Sequence, residues 1–245
     1  MAKLYFRYGA MNSGKSTAML QAAFNYEERG QQVLLTKPQI DTKGDVMIIS
    51  RLGVSRPVDF VLAPDANAYA VFASERERVL RATGLPVSCL LVDEAQFLTE
   101  TQVDDLLRIA ILEDVPVLAY GIRTDFQTVA FPGSRRLLEI SHALEELKTI
   151  CRCGRKAVFN ARKVGDRFVF DGDQVAIDSS SGLSAGGLGP GGLGARGVSA
   201  SGAPDVTYES LCGACYLEES NGVLNKGRKP RVDFSYGSAP DPDFS

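Results

Sequence analysis

The chain has 245 residues, 44% of them hydrophobic, and its 27 basic against 30 acidic side chains leave a formal charge of −3. That length can bury one full core with room for a small second unit, and the balanced charge offers no general field for a nucleic-acid backbone or an anionic membrane. No apolar run approaches the roughly 20 residues of a membrane span, and no cleavable signal precedes the first motif, so a cytoplasmic globular protein is expected.

Residues 4–8 (LYFRY) read as a first strand, and residues 16–29 as a helix closed by Gly30. The short apolar runs 32–36, 87–92 and 115–120 have the β-branched content of buried parallel strands. Cys89 falls inside one of them and is expected to be a core thiol. Thr99 with Gln102 forms a capping box before DDLLRIAILED. Ser134 is placed as the cap of RRLLEISHALEEL, with Leu137, Ile140, Leu144 and Leu147 on one helical face and His142 as a partly exposed helix residue. Alternating strands and helices imply an α/β domain with a mainly parallel sheet over residues 1–148.

Beyond that point the pattern changes. The segment CRCGRKAVFNARKVGDRFVF reads as a cysteine-bearing turn followed by a β-hairpin about Gly165 and Asp166, and it opens a second, smaller unit over residues 149–220. Residues 178–205 are mostly Gly, Ser and Ala, lack the apolar content to pack, and are expected to form a mobile insertion. The Pro-containing tail 221–245 is expected to be disordered.

The first chemical motif is Gly9-Ala10-Met11-Asn12-Ser13-Gly14-Lys15-Ser16, a match to G-x-x-x-x-G-K-[ST] between strand and helix. Such a loop turns its N–H groups inward around phosphates, adds the positive end of a helix, and supplies a lysine for the β and γ oxygens and a hydroxyl for Mg²⁺. A second motif, LLVDE, places Asp93 and Glu94 at the end of a buried strand, where open α/β sheets form ligand crevices. Asp93 suits a Mg²⁺-holding acid, and Glu94 a base that takes a proton from an acceptor hydroxyl or orients a water. The nucleotide-binding set is therefore the loop through Thr17, with Asp93, Glu94, Ala95 and Gln96. These groups serve a kinase and an ATPase equally.

Cys151 and Cys153, with Cys212 and Cys215, form two close pairs that can set four thiolates around a structural Zn²⁺, with no open position for chemistry.

GAMNSGKST, LLVDEAQF and YGIRTDFQTVAFPGS together with the paired cysteines resemble the type II thymidine kinase family over about residues 3–220. The resemblance implies a RecA-like P-loop domain with a small zinc-binding domain carrying a lasso loop that closes over the base. It also implies transfer of the ATP γ-phosphoryl group to the 5′-hydroxyl of thymidine, with Glu94 as base. By motif position the thymidine pocket comprises Met11, Gln96, Phe97, Ile122, Phe126 and Phe131, with Asp41 and Arg162 as polar members and Ala176, Ile177 and Tyr208 along the lasso. A homotetramer inhibited by dTTP is implied as well. The Gly/Ser insertion departs from the family pattern.

A zinc-bearing ATPase acting on nucleic acid is a rival reading, opposed by the acidic balance and the lack of a second helicase-type domain. A regulatory nucleotide-binding module is a third.

Overall fold

A computed structural model describes residues 1–39, 46–171, 206–222 and 224. The expected pocket residues Asp41, Ala176 and Ile177, the 178–205 insertion and most of the tail lie outside the described residues.

In chain order, β1 (Leu4–Tyr8) leads into α1 (Lys15–Glu27), followed by β2 (Gln32–Pro38), the small hairpin of β3 (Met47–Ile49) and β4 (Ser55–Pro57), then β5 (Phe60–Leu62) and α2 (Ala68–Thr83). Next come β6 (Val87–Val92), a 3₁₀ turn at Ala95–Phe97, α3 (Glu100–Leu112), β7 (Val117–Gly121), α4 (Pro132–Ile140) and β8 (Ala143–Glu146). Strands β1, β2 and β5 to β8 form one sheet in the order β5-β2-β6-β7-β1-β8. Every pairing within it is parallel.

Parallel strands need both faces covered, which accounts for their continuous apolar sequences. One face packs Met19, Leu20 and Ala23 of α1 over Leu35, Leu91 and Tyr120. The other packs Phe72 of α2, Leu106 and Ile109 of α3 and Leu137 of α4 over Leu34, Leu90 and Val117. Cys89 is buried, as expected. Among the described residues no helix is long and apolar enough to cross a membrane.

The Thr99–Gln102 capping box is present with both reciprocal bonds. The α4 region differs from expectation in two ways. The helix starts at Pro132 with Phe131 as its N-cap residue, because proline's fixed φ and missing N–H suit the first helical position. Ser134 is not the cap; its hydroxyl donates to the Ile122 carbonyl at 2.6 Å. The helix also ends at Ile140, so His142 is not helical and Leu144 lies in β8. The His142 Nδ1 accepts the Leu4 N–H at 3.0 Å, and the chain then runs parallel to β1. The apolar spacing that mimics a helix here is a helix followed by a strand.

The remaining elements are β9 (Thr149–Ile150), β10 (Lys156–Ala157), β11 (Phe159–Val164), β12 (Arg167–Val169), β13 (Val206–Leu211) and α5 (Gly213–Glu219). β11 and β12 form the expected hairpin, and β13 pairs with the other edge of β11. Phe159, Ala161 and Leu211 pack with Cys151, Cys212 and Tyr216 into a separate small core.

Candidate active site

Since β7 lies between β6 and β1, the loops leaving the carboxyl ends of all three strands are neighbours. The loop after β1 is the phosphate-binding motif. Gly14 has φ 78° and Asn12 φ 65°, both left-handed, and Gly14 is the residue immediately before α1. Gly9 is required by space: a Cβ there would lie 2.4 Å from Ser13 Oγ and 2.5 Å from the Leu147 carbonyl. Lys15 Nζ donates to the carbonyls of Ala10 at 3.0 Å and Gly9 at 3.3 Å, folding back over the loop it must serve. Burial pulls the Lys15 pKa down, against the opposing pull of Glu94 and Asp93.

Two consecutive carboxylates end β6, and the backbone separates them. Glu94 adopts φ 48°, a left-handed conformation that costs a non-glycine residue on the order of 1–3 kcal/mol and tends to persist at functional sites. Its N–H donates to Asp93 Oδ1 at 3.0 Å, which holds the turn. Asp93 is buried, and Ser16 Oγ donates to its Oδ2 at 3.5 Å. Burial, reinforced by the charge of Glu94, pushes the Asp93 carboxyl up to about 7.

Glu94 is held from the other side by the Gln96 amide, which donates to its Oε2, while Gln96 Oε1 accepts the Ile122 N–H at 3.2 Å. Gln96 is buried, so its placement depends on both bonds. It fits because Gly121 has no side chain: a Cβ there would stand 2.7 Å from Gln96 Oε1. Gly133 has the same role beneath the 3₁₀ turn, where a Cβ would lie 2.5 Å from the Ala95 carbonyl.

The aromatic residues named from the sequence make ring contacts of their own. Phe97 and Phe131 meet edge to face with centroids 5.4 Å apart. The Arg162 guanidinium lies 3.9 Å from the centroid of the Phe126 ring, close enough for a cation–π contact. Tyr208 is the register partner of Arg162 across β11 and β13. Phe126 is anchored through its carbonyl, which accepts the Tyr216 hydroxyl at 2.6 Å; burial pushes that phenol up to about 12, so it remains a donor.

The four cysteines converge. Their sulfur atoms all lie within 4.8 Å of one another, with Cys153 and Cys212 Sγ 3.5 Å apart. A tetrahedral zinc with bonds of about 2.3 Å separates its sulfurs by about 3.8 Å, so the set fits that ion in number, chemistry and spacing. A backbone hydrogen bond from Cys215 draws the Cys212 thiol down to about 6, whereas hydrogen bonding to Cys153 and Cys212 pushes Cys215 up to about 12. A bound cation would relieve this crowding of thiol and thiolate.

A family model described as thymidine kinase matches residues 2–216. A thymidine kinase of Legionella pneumophila is 48% identical over 187 residues, spanning 76% of this chain and 87% of its own length. One of Ruegeria pomeroyi is 48% identical over 179 residues, spanning 72% and 87%. One of Idiomarina loihiensis is 49% identical over 164 residues, spanning 66% and 81%. The chain belongs to the thymidine kinase family.

In this family member the sequence left two residues of the site unread. Asn160 and Ser210, both buried, reach from β11 and β13 to the phosphate loop. The available signal was period-two spacing: Asn160 lies two residues before Arg162, and Ser210 two after Tyr208, on the same face of paired strands. Gly121, Gly133 and Ser134, which support Gln96 and its turn, enter the sequence reading only within the string YGIRTDFQTVAFPGS, with Ser134 placed as a helix cap.

Proposed function

We propose that the chain is an ATP-dependent thymidine kinase that transfers the γ-phosphoryl group to the nucleoside 5′-hydroxyl, giving dTMP for DNA precursor synthesis. One observation carries the reading: the phosphate loop, with Lys15 and Ser16, meets the Asp93–Glu94 pair at the ends of β1 and β6, and Gln96 ties Glu94 to Ile122 beside the aromatic residues.

In this reading the N–H group of Gly14 and the amino end of α1 hold the triphosphate, and Lys15 exchanges its carbonyl partners for phosphate oxygens. Ser16 and Asp93 would hold Mg²⁺, which supplies charge neutralisation across the β and γ phosphates. Glu94 accepts the proton of the 5′-hydroxyl as its oxygen attacks phosphorus, and Gln96 fixes the carboxylate for that transfer. Phe126 with Arg162, the Phe97–Phe131 pair, Met11, Ile122 and Tyr208 form the wall against which the pyrimidine stacks. Asp41 and Ala176 belong to the same proposal as pocket members. The cysteine cluster holds a structural zinc.

Cytoplasmic location, a homotetrameric state and feedback inhibition by dTTP complete the proposal, on the strength of the family. ADP release measured against a panel of nucleosides tests it directly. Turnover that depends on thymidine, with deoxyuridine also accepted, is expected. Nucleoside-independent ATP hydrolysis would point to the ATPase reading instead.

A further inference from the structure

The main chain of Met11, at the centre of the phosphate loop, is held at both of its polar groups by the sheet of β11, β12 and β13. Its N–H donates to Asn160 Oδ1 at 2.7 Å, and its carbonyl accepts the Ser210 hydroxyl. Asn160 and Ser210 are direct register partners across β11 and β13. Their side chains therefore leave the same face side by side and meet one peptide residue as a strand edge would. Asn160 Nδ2 also donates to the Thr124 carbonyl at 3.2 Å, tying in the loop that carries Phe126.

Both side chains are buried at 3% and 7% exposure, so each hydrogen bond removed leaves a desolvated partner on the phosphate loop. No sequence motif of the phosphate loop requires such a support. Phosphate binding does require the loop's N–H groups to be aimed before the nucleotide arrives, because ordering them on binding would subtract from affinity.

We propose that Asn160 and Ser210 are positioning residues that pre-form the phosphate loop, so that the sheet of β11, β12 and β13 is part of the nucleotide site as well as of the nucleoside site. The proposal rests on the proposed function only in taking ATP as the nucleotide.

The test uses the full-length protein and a fluorescent N-methylanthraniloyl ATP, with no nucleoside present, so that its result is independent of whether thymidine is the acceptor. Asn160→Ala and Ser210→Ala are each expected to weaken nucleotide binding about tenfold, the scale of one buried hydrogen bond. Ser210→Thr keeps the hydroxyl and is expected to stay within about threefold of the parent. The double variant is expected to lose much less than the product of the single losses, since both grips act on one residue, Met11. A role confined to folding would lower the unfolding midpoint without this non-additivity or the threonine rescue, and that result overturns the proposal. Unchanged affinity in both alanine variants overturns it as well.

Hydrogen exchange on the unaltered, nucleotide-free protein gives a second reading that needs no variant to fold. The Met11 amide is expected to exchange slowly, and exchange at the rate of an unbonded loop amide would overturn the clasp.

Discussion

Asp93 and Glu94 are chemically near-identical neighbours to which the proposed function gives different tasks, and backbone conformation and burial separate them. Asp93 is enclosed beside Ser16, whereas Glu94 is turned by its left-handed φ toward Gln96 and the loop after β7. If Glu94 is the base, Glu94→Gln keeps size and hydrogen bonding but removes the proton acceptor. Nucleotide binding is then expected to hold while phosphoryl transfer falls at least about a hundredfold, as single-turnover kinetics would report. Turnover at the parental rate would remove Glu94 from that role. Asp93 gives a stability prediction with a definite sign. Its carboxyl is raised to about 7 in the folded protein, against about 3.9 in an unfolded chain. The folded state therefore keeps the proton longer, and its contribution to stability is complete below about pH 4 and is lost as pH rises through about 7. In metal-free, nucleotide-free protein, Asp93→Asn is expected to unfold at a higher temperature than the parent at pH 8, with the gap closing toward pH 4. A gap that does not vary with pH would mean that Asp93 is not held protonated by its surroundings.

At the scale of elements, local chemistry decided where the sequence could be read. The α3 start was legible because Thr99 and Gln102 satisfy each other's backbone groups within four residues. Thr99→Ala is expected to cost about 1 kcal/mol by urea unfolding, with Thr99→Ser nearly neutral. Strands β2, β6 and β7 were legible for a similar reason, since burial on both faces leaves largely apolar runs. The region after residue 131 was not: Pro132 is a local start signal that the reading of Ser134 as the cap displaces, and the partners of Ser134 and His142 are non-local. Pro132 starts the helix one residue after Phe131, Ser134 is spent on the Ile122 carbonyl of another loop, and His142 satisfies the Leu4 N–H at the far end of the chain's first strand. None of these partners is near in sequence. The spacing of Leu137, Ile140, Leu144 and Leu147 fits a helical period whether or not the chain turns into a strand midway, so periodicity alone could not locate the end of α4.

At the scale of the molecule, the phosphate loop and the two acids were readable as short strings of residues, and the four cysteines as two close pairs, because few other uses favour those residue types at that spacing. The clasp on Met11 was not, since it depends on strand register between segments separated by the insertion: Asn160 opposes Ser210 only once β11 and β13 have paired. The same geometry gives the cysteines a route to nucleotide binding. Cys151 and Cys153 precede β11 and Cys212 directly follows β13, so a metal bound by the cluster would fasten together the ends of the two strands that carry the clasp. Without a cation the crowded thiols keep protons and no metal–sulfur bonds tie them together, so the strand ends should loosen and the side chains of Asn160 and Ser210 drift with them. Stripping the metal with a chelator is therefore expected to weaken N-methylanthraniloyl ATP binding by about tenfold or more, matching the loss of one clasp hydrogen bond, and zinc is expected to restore it. Elemental analysis should find one zinc per chain before stripping. The decisive comparison is the stripped Ser210→Ala variant: if the cysteine cluster acts on the phosphate loop through the clasp, removing the metal from that variant adds little further loss. A full, additive loss there would mean that metal and clasp support the loop separately, and retention of parental affinity by the stripped parent would confine the cysteine cluster to its own small core.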